Sequence, residues 1–160
     1  MITSKEAWQK FGFESKEIES KFLTLWDVPK ELEVGVIPKK IYCNKAIIEP
    51  LTKSFTQLIK TGCVNELKTW DGCYNPRPIR GYEHQFENAI LTKSYELAAK
   101  YTSMHWWAIA FDVNAAWNRL RQTPTLSKEF VKCFTDNGFD WGGNFTFTRL
   151  DGMHFQLSHF

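Results

Sequence analysis

The stretch Ser103–Asn114, SMHWWAIAFDVN, sets a histidine, His105, ahead of an apolar run that holds one carboxylate, Asp112. From Ala108 the residues alternate. Ala108, Ala110, Asp112 and Asn114 share one parity, and Ile109, Phe111 and Val113 the other. This is the period of a strand with an apolar back and a front of small and polar groups. Alanines on that front leave room beside Asp112 for a ligand or a metal ion. His105 has the wrong parity to join the front, so it is expected before the strand or across a bulge. A second carboxylate–histidine pair lies in DGMHFQL, Asp151–Leu157, where Met153, Phe155 and Leu157 alternate with His154 and Gln156. If the two strands pair, His105, Asp112 and His154 converge. Two histidines and a carboxylate, with water in the fourth position, make a catalytic zinc set. These are single ligands rather than a compact motif, so spacing alone leaves open two unrelated histidines and a surface aspartate.

Together with FDWGGNF (Phe139–Phe145), these segments resemble the zinc peptidoglycan peptidases. That family includes the VanX- and VanY-type D-alanyl-D-alanine peptidases and the phage L-alanyl-D-glutamate endopeptidases. Its pattern is Ser-x-His, then Ala-x-Asp, then a Trp-Gly-Gly turn ahead of Asp/Glu-x-x-His, and the order is the same here. GCYNPRP, Gly72–Pro78, resembles the phage endopeptidase branch, and the likeness extends over about residues 20–158.

The resemblance implies Zn2+ held by His105, Asp112 and His154. It implies Asp151 as the carboxylate that takes the proton of the attacking water and passes it to the leaving amine. Arg77 is implied as the cation at the developing oxyanion, preferred over Arg80 of the same proline-stiffened loop. Ser103 is implied near metal or substrate. Asn114 and Trp106 are further substrate-binding candidates, beside plainer roles as a turn former and a core aromatic. The expected substrate is bacterial peptidoglycan and the expected bond L-alanyl-D-glutamate, in a phage or prophage endolysin. The same-class alternative is a D-alanyl-D-alanine carboxypeptidase. The different-class alternative is a non-catalytic virion component that grips the wall. Two departures stand out: Ala108 replaces the family's usual glycine, and residues 81–102 form an extra segment that bears on specificity.

Composition bounds the rest. A chain of 160 residues predicts one domain, 1–160. It is 43% hydrophobic and 16% aromatic, enough for a core and for an aromatic-lined cleft. A net charge of +2 argues against a nucleic-acid partner. No apolar run of membrane-spanning length occurs, so membrane insertion is not expected, and a monomer is. The opening MITSKEAWQKFGF has no signal-peptide pattern. The expected location is therefore the host cytoplasm until release to the wall, or the virion. Cys43, Cys63, Cys73 and Cys133 show no CxxC and read as free thiols, with a Cys63–Cys73 disulfide disfavoured. His84 and His159 read as surface residues.

The elements that must position the site are expected in an α+β fold, a small antiparallel sheet with helices packed on one side (hedgehog/DD-peptidase-like by resemblance). Thr3-Ser4-Lys5-Glu6 predicts a capped helix over 4–11, closed by Gly12. A second short helix is expected within 14–26. The apolar stripe Ile47, Ile48, Leu51, Phe55, Leu58 and Ile59 predicts a helix over 45–61. Val64–Trp70 reads as a strand, 88–100 as one helix with Ala89, Leu97, Ala98 and Tyr101 inward, and Ser127 as the N-cap of a helix ending at Gly138. Gly142-Gly143 is expected to use backbone angles that other residues refuse, feeding a hairpin of 145–148 against 153–158.

Overall fold

In the computed structural model, which describes residues 1–160, the chain forms six α-helices and two small antiparallel sheets. This is the expected α+β class. Helix α1, Ser4–Phe11, begins with a true capping box: Thr3 Oγ1 accepts from the Glu6 N–H, and the Glu6 carboxylate accepts from the Thr3 N–H. Helix α2, Ser15–Phe22, is the short helix expected within 14–26, and after it the chain turns into strand β1, Leu23–Asp27. β1 pairs only with β2, Lys40–Asn44, as a separate two-stranded sheet.

Helix α3, Ile48–Thr61, carries Pro50 in its first turn, where no N–H is needed, and ends at left-handed Gly62. The strand expected over 64–70 is largely absent. A 3-10 turn occupies Cys63–Glu66, and strand β3 is only Trp70–Gly72. The reason is local: the N–H groups of Lys68 and Thr69 are both taken by Asn114 Oδ1, so a side chain replaces a ladder partner. The single helix expected over 88–100 is two, α4 (Glu83–Leu91) and α5 (Tyr95–Lys100), broken where Lys93 adopts φ 56°. Ala89 and Ala98 are buried as expected, but Leu97 is exposed.

The main sheet has the order β3-β4-β6-β5, with β4 Ala110–Val113, β5 Phe139–Trp141 and β6 His154–Leu157. The partner of β6 is thus Phe139–Trp141, upstream of the glycine pair, and not 145–148, which lies among 3-10 turns. Helix α6, Lys128–Thr135, is capped by the Ser127 hydroxyl. The Glu66 carboxylate in turn accepts from both the N–H and the hydroxyl of Ser127, tying the 3-10 turn after α3 to the start of α6.

One face of the main sheet is apolar. Phe111 stacks on Trp70 at 4.9 Å and on Phe155 at 5.4 Å, and meets Phe134 of α6 and Phe139 of β5. Phe55 of α3 closes on Trp70. Aromatic pairs of this kind add to the burial of their rings and fix the sheet against α3 and α6. The other face carries Asp112, His154 and Gln156. There α1 and α5 stand at the rim of an open cleft of about 1690 Å³. No helix is long and apolar enough to cross a membrane.

Candidate metal centre

Register delivers the first two ligands. β4 and β6 run antiparallel with Asp112 directly opposite His154 and Ala110 opposite Gln156. Cross-strand partners share a face, so carboxylate and imidazole meet with no further constraint. The third ligand comes from a 3-10 turn, Met104–Trp107, that runs into β4. Ser103 caps this turn, its hydroxyl accepting from the His105 N–H at 3.3 Å. Ala108 closes it in the left-handed region at φ 51°. The strand therefore starts after Ala108 rather than at it, and His105 lies before the strand. A glycine would take that conformation without strain, which gives a physical reason for the glycine usual in the resembling family. The turn is also pinned from behind, since the Trp106 and Trp107 indoles donate to the carbonyls of Phe13 and Gly12.

The donor atoms converge. One ligand atom from each of His105, Asp112 and His154 lies within 4.8 Å of the others. His105 Nε2 and His154 Nδ1 both approach Asp112 Oδ1 at 3.2 Å. Tetrahedral zinc with bonds of about 2.0–2.1 Å sets its ligands about 3.3 Å apart, so the spacing fits. The outward nitrogens decide the tautomers. His105 Nδ1 donates to the Cys73 carbonyl at 2.8 Å, and His154 Nε2 donates to Gln156 Oε1 at 3.1 Å. With both protons committed outward, three lone pairs face one another in a buried space. Such an arrangement calls for a cation at its centre, or for extra protons on the imidazoles, and partners of this kind orient metal-binding histidines generally.

The electrostatics agree. Burial alone would raise the Asp112 carboxyl, but the charges and hydrogen bonds of His105 and His154 outweigh it and hold Asp112 far below the usual carboxylate range. Burial would depress His154, yet its hydrogen bond to Asp112 and the Asp112 charge leave it raised. Burial pushes the Cys43 thiol up to about 12 and the Cys73 thiol well above its ordinary value. All four cysteines are free, and burial keeps these two as protonated thiols at neutral pH.

Asp151 and Arg77 line the same cleft as His154. Asp151 Oδ1 is buried with no hydrogen-bond partner. Burial is the main cause raising the Asp151 carboxyl, against the pull of His154 and with help from the Asp112 charge. The residue is held by its backbone: its N–H donates to Gly142 and its carbonyl accepts from His154. Gly142 is needed there for space, because a Cβ would run into the Asp151 carbonyl, and Gly143 because a Cβ would strike the Trp141 ring. Neither glycine has the positive φ expected from the sequence. Arg77 is half-buried, with Nη1 donating to the Pro78 carbonyl and Nε unpartnered. Burial, and then the Arg80 charge, pull it below its ordinary value.

Three other candidates fall differently. Ser103 lines the cleft, its hydroxyl used in the cap. Asn114 does not line it: the side chain is buried, accepts from Lys68 and Thr69, and donates to the Glu66 carbonyl, so it clamps backbone instead of meeting a ligand. Trp106 is stacked on Phe13 at 4.8 Å and packed near Phe86, away from the cleft lining. His84 and His159 are exposed. Gln156 and the Cys73 carbonyl are site groups beyond those expected from the sequence. The alternation that pairs Gln156 with His154 was a signal for the first, whereas a backbone carbonyl leaves no mark in a sequence.

Residues 97–157 match the family model described as D-alanyl-D-alanine carboxypeptidase. The matched span contains His105, Asp112, Asp151 and His154, and the match supports a zinc peptidoglycan peptidase; Arg77 lies outside it. No curated protein and no solved structure shows a significant match to the chain.

Proposed function

We propose that the chain is a zinc-dependent peptidoglycan hydrolase that cleaves the L-alanyl-D-glutamate amide of the stem peptide, acting as a phage or prophage endolysin. The observation that carries the hydrolase reading is the meeting of His105 Nε2, His154 Nδ1 and Asp112 Oδ1 with both outer ring nitrogens already bonded. The narrower bond and the phage setting are supported by GCYNPRP and by an aspartate at position 151. His105, Asp112 and His154 would hold Zn2+. Bound there, the ion would make hydroxide available at neutral pH and would polarise the scissile carbonyl.

The remaining chemistry belongs to the chain. Asp151, unpartnered and with a raised carboxyl, is suited to take a proton from the attacking water and return it to the leaving amine. Arg77, with a free Nε in a half-buried position, is suited to meet the carbonyl oxygen as it gains charge. Gln156 and the Cys73 carbonyl hold the imidazoles in place. Defined muropeptides, digested with and without chelator and analysed by mass spectrometry, test the proposal. A new D-glutamate amine that disappears with chelator or in His154→Ala supports it. Release of free D-alanine instead would assign the carboxypeptidase reading, and undiminished lysis by His154→Ala would remove the enzyme altogether.

A further inference from the structure

The arginines of this chain are not spread over its surface. There are five, and four of them, Arg77, Arg80, Arg121 and Arg149, line the cleft. The fifth, Arg119, lines a smaller adjoining hollow together with Arg80. Of the fifteen lysines only Lys5, Lys93 and Lys100 reach the cleft, where Asp151 and Glu96 are the only acidic side chains. Glu96 is already paired with Lys5. None of the five arginines is in an ion pair, whereas Lys21, Lys40, Lys53 and Lys132 elsewhere each have a carboxylate partner. A chain of net charge +2 has thus gathered unpaired guanidinium groups at one opening, and guanidinium is the group suited to bidentate carboxylate recognition.

Arg121 is exposed, yet both its backbone and its side chain are held. It is a non-glycine residue at φ 64°, a conformation that costs free energy and persists only when held. Its N–H donates to the Leu150 carbonyl at 2.7 Å and its Nε to the Thr148 carbonyl at 3.2 Å. Those bonds fix the side chain to the segment that carries Arg149 and leads to Asp151, and leave the Nη groups without a protein partner.

We infer that Arg121 and Arg149 form a carboxylate-binding subsite that selects acidic peptides, ones with at least one free carboxylate near the scissile amide. The inference rests on the proposed hydrolase reading of the same cleft. Neither residue touches the candidate metal ligands, so both act in substrate binding and specificity.

The test uses N-acetylmuramyl-L-alanyl-γ-D-glutamyl-diaminopimelate and the same peptide with every carboxyl amidated. Arg121→Ala and Arg149→Ala are expected to lower kcat/KM on the acidic peptide about tenfold, through KM, with little change on the amidated one. Wild type is expected to lose about as much on amidation, and Arg121→Lys to recover part of the loss. Equal cleavage of both peptides by wild type, or equal losses on both by the variants, overturns the subsite while leaving the hydrolase in place. Calorimetric binding of both peptides to chelator-treated wild-type protein decides the matter without turnover. Preference for the acidic peptide supports the subsite even if no bond is cut, and indifference refutes it. Melting temperatures of the variants separate a lost contact from a lost fold.

Discussion

Gln156 governs which nitrogen His154 offers. Its Oε1 takes the Nε2 proton and leaves the Nδ1 lone pair facing Asp112. Replacing it with leucine keeps the strand but removes the acceptor, so zinc affinity measured by chelator competition is expected to fall about 10–100-fold. Unchanged affinity would show that the tautomer is set by something else. Asp151 makes a second test at this scale. Its carboxyl is raised mainly by burial, so the folded state holds the proton more tightly than the unfolded one. Ionisation therefore costs stability as pH climbs from the unfolded value, about 3.9, through the higher folded value. Metal-free Asp151→Asn is expected to melt above metal-free wild type at pH 7, with the gap closing in acid, and the zinc-loaded variant to have lost turnover. Equal melting at both pH values would mean that the carboxylate finds a partner in solution.

The elements differ in how plainly the sequence announced them, and the difference follows from where their hydrogen bonds go. Helices α1, α3 and α6 carry their own end signals, Thr3 with Glu6, Gly62 and Ser127, which act within a few residues. β1 has no such signal. Leu23 and Leu25 fit the end of a helix as well as a strand, and only the distant β2 decides between them. The 64–70 segment misleads because its N–H groups are satisfied by Asn114, some 46 residues away. The alternation in β4 and β6 was legible, and with it the shared face of Asp112 and His154. The exact partner of β6 was not, because the glycine pair looks like a hairpin turn when its true use is close approach. That use is testable. Gly142→Ala sets a methyl group against the Asp151 carbonyl and is expected to cost about 1–3 kcal/mol in urea unfolding, with a loss of zinc affinity. An unchanged midpoint would mean that the turn has slack.

For the whole molecule, the sheet acts as a partition. Its aromatic face is locked against α3 and α6, so its polar face is held rigid at the floor of the cleft. Phe111, fully buried among four aromatic partners, lies on β4 next to Asp112. Because the three ligands come from two strands and one turn, metal binding and folding are coupled. Zinc at a hundredfold excess over its dissociation constant is expected to stabilise the protein by about 2.7 kcal/mol, read as a rise in melting temperature, and to do nothing for Asp112→Ala. The most direct measurement is diffraction from zinc-loaded crystals at the zinc absorption edge. One anomalous peak is expected about 2.0–2.2 Å from His105 Nε2, His154 Nδ1 and Asp112 Oδ1. A peak bound elsewhere, at the cysteines for instance, or none at all, would contradict it.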